Sequence, residues 1–281
     1  MSNIQTVQAS RFRLTRHGTL VLGATLVALI TIAGIFAPWL APYSPYELDV
    51  ANMLKAPSWS HWLGTDEVGR DVLSRTIYAA RISVTVALVA VGVGFAIGTA
   101  IGLVSAYIGG VADLALMRLM ELLFSFPAIL LAVILMASLG TSTLNAMLAI
   151  GIIFIPGFAR LARASTMGVL RHSYIDAAKT IGMSDWRILN REILPNILAP
   201  SIVEAMAAFA YAILLESALS FLGLGAQPPE PSWGNMINIG RGFMAQAPWL
   251  SIVPGMALFL FVMGFNLVGD GLRDLFDPHL D

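Results

Sequence analysis

Between Arg81 and Asp113 the chain reads ISVTVALVAVGVGFAIGTAIGLVSAYIGGVA, residues 82–112, without one Asp, Glu, Lys or Arg. A helix crosses a hydrocarbon core of about 30 Å with roughly 20 apolar residues, so this run can span a bilayer. Charge-free intervals recur between Arg16 and Glu47, between Glu121 and Arg160, and between Arg241 and Asp270. The Glu121–Arg160 interval exceeds one helix and is divided at Gly140-Thr141-Ser142, which predicts a third helix from near Asp113 and a fourth from near Leu144. One more apolar stretch, from about Asn196 to Leu224, is interrupted only by Glu204 and Glu216 and brings the expected count to six. The fold class expected is therefore an all-α integral membrane protein of about six transmembrane helices.

Composition points the same way. Of 281 residues, 57% are hydrophobic and 12% charged, whereas ordinary soluble domains carry about 25% charged residues. The expected solvent is membrane lipid. A net charge of -1 offers no basic surface, so nucleic acid is not an expected partner. The absence of cysteine excludes disulfides, thiolate metal sites and cysteine nucleophiles, and His17, His61, His172 and His279 show no metal-ligand spacing. No Gly-x-x-x-x-Gly-Lys-Ser/Thr loop and no hydrolytic constellation occurs, so neither an ATPase of that type nor another enzyme is expected, and no catalytic residue, metal site or bound cofactor is assigned.

The layout expected is a cytoplasmic tail over 1–19, a first span over 20–40, an extracytoplasmic loop with an interfacial helix over 41–81, and a five-helix core over 82–281. The start, with Arg11, Arg13 and Arg16, resembles a signal peptide, but its apolar run exceeds the about 7–15 residues of such a leader. It ends in Pro38-Trp39, with Tyr43 and Tyr46 suited to an interface belt, and is read as an uncleaved anchor. Lys and Arg gather before helix one and between helices four and five, at Arg160, Arg163, Arg171, Lys179, Arg187 and Arg191, which predicts both termini in the cytoplasm. Lys55, Arg70, Arg75 and Arg81 oppose that orientation, but they stand in a long loop, where the rule is weaker.

Several local expectations follow. Gly64-Thr65-Asp66 would cap a short helix to about Arg81, with Asp71 and Arg75 paired at i,i+4 on a solvated face. Gly92, Gly94, Gly98 and Gly102 fall at helical spacing and would let another helix approach. Arg118 and Glu121 would pair at i,i+3. Glu204 and Glu216 are candidate pathway-lining residues, because charge inside a bilayer is expensive and defaults to function. The loop over 161–195 would hold two short helices: Asp176-Ala177-Ala178-Lys179 in the first, Gly182 as its left-handed stop, Ser184 capping the second, and Pro195 in the first turn of helix five. The paired alanines would leave one side of the first helix low, for another surface to approach.

That loop resembles the cytoplasmic motif of the membrane subunits of ABC importers, roughly Glu-Ala-Ala, three residues, Gly, then Ile-x-Leu-Pro. Asp176, Ala177 and Ala178 occupy the acid-alanine-alanine positions, Gly182 stands at the required spacing and Leu194-Pro195 closes the motif. Asp176 replaces the usual Glu, and Glu192 stands where the pattern has an apolar residue. Residues His61 to Arg81 look like the segment before helix two in dipeptide, oligopeptide and nickel permeases. Ser220 to Gly225, Trp233-Gly234, Phe265 to Asp274 and Asp277-Pro278 are similar to the C-type subunit of that family. The resemblance covers nearly the whole chain after residue 20.

It implies a coupling role for Asp176, Ala177, Ala178, Lys179, Ile181, Gly182, Leu194 and Pro195. It also implies a second homologous permease, two ABC ATPase subunits or domains that use ATP and Mg, an extracytoplasmic solute-binding protein, and a bacterial inner-membrane location. The solutes implied are di- or oligopeptides, with nickel, glutathione and sugars as alternatives. A self-contained channel or ion-driven transporter is the rival from another class, and it would show intramembrane relays or repeats.

Overall fold

A computed structural model describes the backbone of residues 2–276 and the side chains of 18–275. The side chains of Arg11, Arg13, Arg16 and His17, and Asp277, Pro278 and His279 altogether, lie outside the described residues. Helices α1 (Ser2–Ile35) and α2 (Ala37–Leu40) are followed by a short 3-10 turn, Val50–Asn52, then by α3 (Val72–Ile108), α4 (Gly110–Phe124), α5 (Ala128–Leu139) and α6 (Thr143–Val169). Next come α7 (Ser173–Thr180), α8 (Asp185–Arg187), a π-helical segment Ile188–Ile193, α9 (Leu194–Phe221), α10 (Trp233–Arg241) and α11 (Trp249–Phe276). No β-strand occurs among the described residues. Among the described residues five helices are long and apolar enough to span a membrane, and six spans result if α4 and α5 count as one.

The third span differs from the straight helix expected: α4 and α5 meet at 91°. The break falls at Ser125-Phe126-Pro127. Proline crowds the residue before it out of the α region, so Phe126 cannot continue α4, and α5 restarts behind Pro127.

The segment before α3 also differs. Residues 64–71 form no helix; α3 begins at Val72 and runs without interruption through the second span. Asp71 is its cap, accepting from the Ser74 amide at 2.8 Å. Asp71 is therefore not Arg75's partner; its other oxygen meets His61 Nδ1 at 3.0 Å, while Arg75 donates to the Pro45 carbonyl at 3.0 Å. Nor is the face solvated, since Asp66, Arg70, Asp71 and Arg75 are all buried. Arg70 Nε lies 2.6 Å from Asp66 and Arg70 Nη2 2.9 Å from Glu67. Buried charges persist when paired and hydrogen-bonded, and here the pairs knit the loop into a lid. Trp249 Nε1 fastens that lid to α11 through the Thr65 carbonyl at 3.2 Å.

The principal core lies among α3, α5, α6, α9, α10 and α11. Its closest seam is α3 against α6, made possible by glycine. A Cβ placed on Gly98 would stand 2.6 Å from the Ile155 carbonyl oxygen, and Gly94 and Gly102 are equally confined by α6. Gly92, on another face, has nothing within 4 Å. The expectation of close packing thus holds for three of the four glycines.

Candidate functional site

The charged end of α6 continues as helix to Val169, so the connecting loop begins later than residue 161. Arg163, expected in that loop, instead grips Asp113 with two hydrogen bonds of 2.6 Å, holding the start of α4 against α6. Arg118 pairs with Glu121 at 2.9 Å on an exposed face, as its spacing predicted.

Beyond Val169 the chain turns into α7. On its inner side Ile175 is wholly buried and Ala178 nearly so, and both join Leu103, Val169, Ile188 and Ile193 in a second apolar cluster. Full burial of an isoleucine is worth about 1.5–3 kcal/mol, enough to seat a two-turn helix that could not persist alone. Asp176, Ala177, Lys179 and Ile181 face outward. The two alanines therefore do not form one low face: Ala178 packs into its own chain and Ala177 alone is offered to a visitor. The apolar surface presented with it is Ile181, 77% exposed, and Trp186, 76% exposed. Trp186 carries no expectation from the sequence alone.

The stop at Gly182 is as expected, with φ +78°. Its amide donates to Lys179 O at 3.0 Å and the Met183 amide to Ala178 O at 3.0 Å, the paired bonds of a Schellman turn. Ser184 occupies the predicted cap position, but its side chain makes no capping bond. Nor is there a separate second helix. Asp185–Phe221 is one continuous span through the π-helical segment, with Leu194 half-buried and Pro195 exposed inside it. Proline has no amide to donate, and a wider turn just before it absorbs the lost bond.

A contact between distant segments holds this loop to α3. Tyr107 Oη donates to Asp185 Oδ1 at 2.6 Å, and Lys179 Nζ sits 5.9 Å from the centre of the same ring. The last turn of α3 is thereby tied to both sides of Gly182. No local pattern marks Tyr107, whose partners lie more than seventy residues on.

The two carboxylates of α9 have different fates. Glu216 is sealed in the chain, 1% exposed, with Ser220 Oγ donating to it at 2.8 Å and the Ser83 and Ser217 hydroxyls at 3.4 Å. It pins α9 to α3 and is not available to line a pathway, contrary to expectation. Glu204 is exposed and lines two cavities, of about 490 Å³ and 420 Å³. The larger lies at the α4–α5 bend, and α9 contributes Glu204, Ala207, Ala208 and Tyr211 to it. That i, i+3, i+4, i+7 stripe is the sequence signal that could have located the wall.

Comparison with known proteins matches residues 98–281 to the family described as binding-protein-dependent transport system inner membrane component. Residues 6–57 match the N-terminal TM domain of oligopeptide transport permease C. The chain is 44% identical to the probable D,D-dipeptide transport system permease protein of Escherichia coli, over 92% of this chain and 87% of that one. It is 42% identical to the dipeptide transport system permease protein of Alkalihalophilus pseudofirmus, over 95% and 88% respectively. The same identity, over 95% and 89%, relates it to the glutathione transport system permease protein of Pectobacterium atrosepticum. Among solved structures, an amino acid ABC transporter with histidines aligns at TM-score 0.51 and 15% identity, covering 69% of this chain and 90% of that one, a likeness of fold alone. The chain belongs to the binding-protein-dependent transport system inner membrane component family, as a multi-pass inner-membrane permease that works with other components of an ABC transporter.

Proposed function

We propose that this permease is the C-type subunit of an ATP-driven importer of di- or oligopeptides, paired with a second, homologous permease. Two ABC ATPase subunits or domains, which bind the ATP and Mg, dock on the cytoplasmic side, and a solute-binding protein delivers solute from outside. Both termini face the cytoplasm. The observation that carries this reading is α7: a short helix seated from below by Ile175 and Ala178 and presenting Asp176, Ala177, Lys179 and Ile181 to a partner. Closure of the ATPase pair displaces α7, and Gly182 with the continuous Asp185–Phe221 span carries the displacement into the membrane. Leu194 and Pro195 lie within that span, directly after its π-helical segment. Peptides are preferred as solutes because two of the relatives above are named for dipeptides and a third for glutathione, itself a peptide.

The test is purification of the tagged chain in mild detergent, with mass spectrometry, an ATPase assay and uptake of labelled dipeptide against glutathione and nickel. Recovery of a second permease and ATPases, with uptake lost on replacing Ala177 by a bulky residue, is expected. A chain that purifies alone, or normal coupled uptake in that variant, would refute the proposal.

A further inference from the structure

Glu204 stands near the middle of the continuous Asp185–Phe221 span, nineteen residues after its start and seventeen before its end, and so within the stretch that crosses a core of about 30 Å. An uncompensated charge is costly there. Glu216, on the same helix, is compensated by three serine hydroxyls. Glu204 has neither hydrogen bond nor ion pair among the described residues and is exposed, so its compensation comes from water, from a cation across the cavity or from a guest.

The cavities narrow what supplies it. The larger has a volume of about 490 Å³ and is walled by Phe124, Ile153, Phe158 and Tyr211, with Glu204 the single charged group among its lining residues. Volumes of roughly 300–1,000 Å³ are those of ligand pockets, and aromatic faces favour both cations and apolar bulk. A guest suited to one carboxylate in an aromatic surround carries a primary ammonium beside an apolar side chain. The smaller cavity shares Glu204 and adds Asn266, Asp270 and Arg273, groups of both signs.

We infer that Glu204 is the midplane ammonium-binding residue of the translocation pathway, holding the N-terminal ammonium of a passing peptide while the aromatic cavity takes its first side chain. The inference rests on the permease reading above. It makes the pathway selective for a free amino terminus, independently of any selection by the solute-binding protein.

The chain contains no cysteine, so Ala207→Cys, one turn from Glu204 and lining both cavities, places a single thiol in it. In the assembled complex in proteoliposomes, modification of this chain by cationic and anionic methanethiosulfonate reagents is followed with Glu204 present and with Glu204→Gln added. A reactive thiol is expected, with a cation-to-anion rate ratio that falls roughly ten-fold once the carboxylate is removed. Uptake of a peptide with a free N-terminus should fall at least about ten-fold in Glu204→Gln and be retained better in Glu204→Asp. An unreactive thiol, an unchanged rate ratio or normal uptake by Glu204→Gln in an intact complex overturns this inference alone. Failure of the wild-type chain to recover ATPases overturns the permease reading on which it stands.

Discussion

Gly98→Ala sets the packing of α3 on α6 against helix propensity. The new Cβ would stand 2.6 Å from Ile155 O, 2.7 Å from Phe158 Cβ and 3.1 Å from the Ala159 amide, where ordinary contact begins at 3.4 Å. The two helices must therefore part by about 0.8 Å along their closest seam. None of the three obstacles is the free end of a flexible side chain, so none can swing aside. Overpacking of this kind costs about 1–3 kcal/mol, and a gap of 0.5–1 Å opened elsewhere along the seam forfeits about a quarter to a half of the dispersion well of each separated pair. Gly92→Ala is the control, because it makes the same chemical change on the same helix with nothing within 4 Å of the added methyl. Both variants gain the roughly 0.5–1 kcal/mol by which alanine exceeds glycine in a helix, so their difference isolates the clash. Thermal unfolding in one mild detergent should place Gly98→Ala on the order of 5 °C below Gly92→Ala. Coincident melting curves would refute the argument, for they would mean that the α3–α6 seam yields without cost.

Ala178→Leu intrudes on the cluster beneath α7 and should destabilise the loop by about 1–3 kcal/mol, read by limited proteolysis. Ala177→Leu should leave proteolysis unchanged and weaken ATPase copurification, and equal effects of the two would contradict the assigned faces. Gly182→Ala meets no atom within 4 Å, so its cost is that of the left-handed backbone alone, about 1 kcal/mol, visible as faster amide exchange at Met183. Tyr107→Phe removes the bond to Asp185 and should speed exchange across 181–187 by roughly two- to ten-fold with no change in the melting of the membrane helices. Unaltered exchange would show that Tyr107 does not hold the loop.

Much of the span count was legible because it depends on one local quantity, the length of chain free of charge. That quantity carries no direction, which is why the α4–α5 bend escaped it, although Pro127 stood in plain view as the reason α4 could not continue. The lid escaped for a different reason. Asp66, Arg70, Asp71 and Arg75 have the spacing of an exposed helix face, and only their tertiary neighbours, Pro45, His61 and Trp249 among them, convert them into an interior. Pattern also reached α7 and its glycine stop but could not say which alanine faced out. That choice is made by Ile188 and Ile193, beyond the turn.

The pair on α9 marks where a sharper reading was possible. By charge alone Glu204 and Glu216 are two lone carboxylates in an apolar run. Twelve residues at about 100° each bring the second carboxylate roughly 120° around the helix from the first, so the two could never share one wall. The residues at i+3, i+4 and i+7 from each then differ in kind. From Glu204 they are Ala207 and Ala208, small groups that leave space beside a carboxylate, and Tyr211, an aromatic wall; from Glu216 the i+4 residue is Ser220, a donor placed to satisfy it. A carboxylate with its own donor one turn away can be buried, whereas one flanked by alanine must find its partner elsewhere. The first stabilises the fold and the second is left open to the cavity, a distinction that rests on helical geometry and hydrogen-bond chemistry before any long-range contact is known.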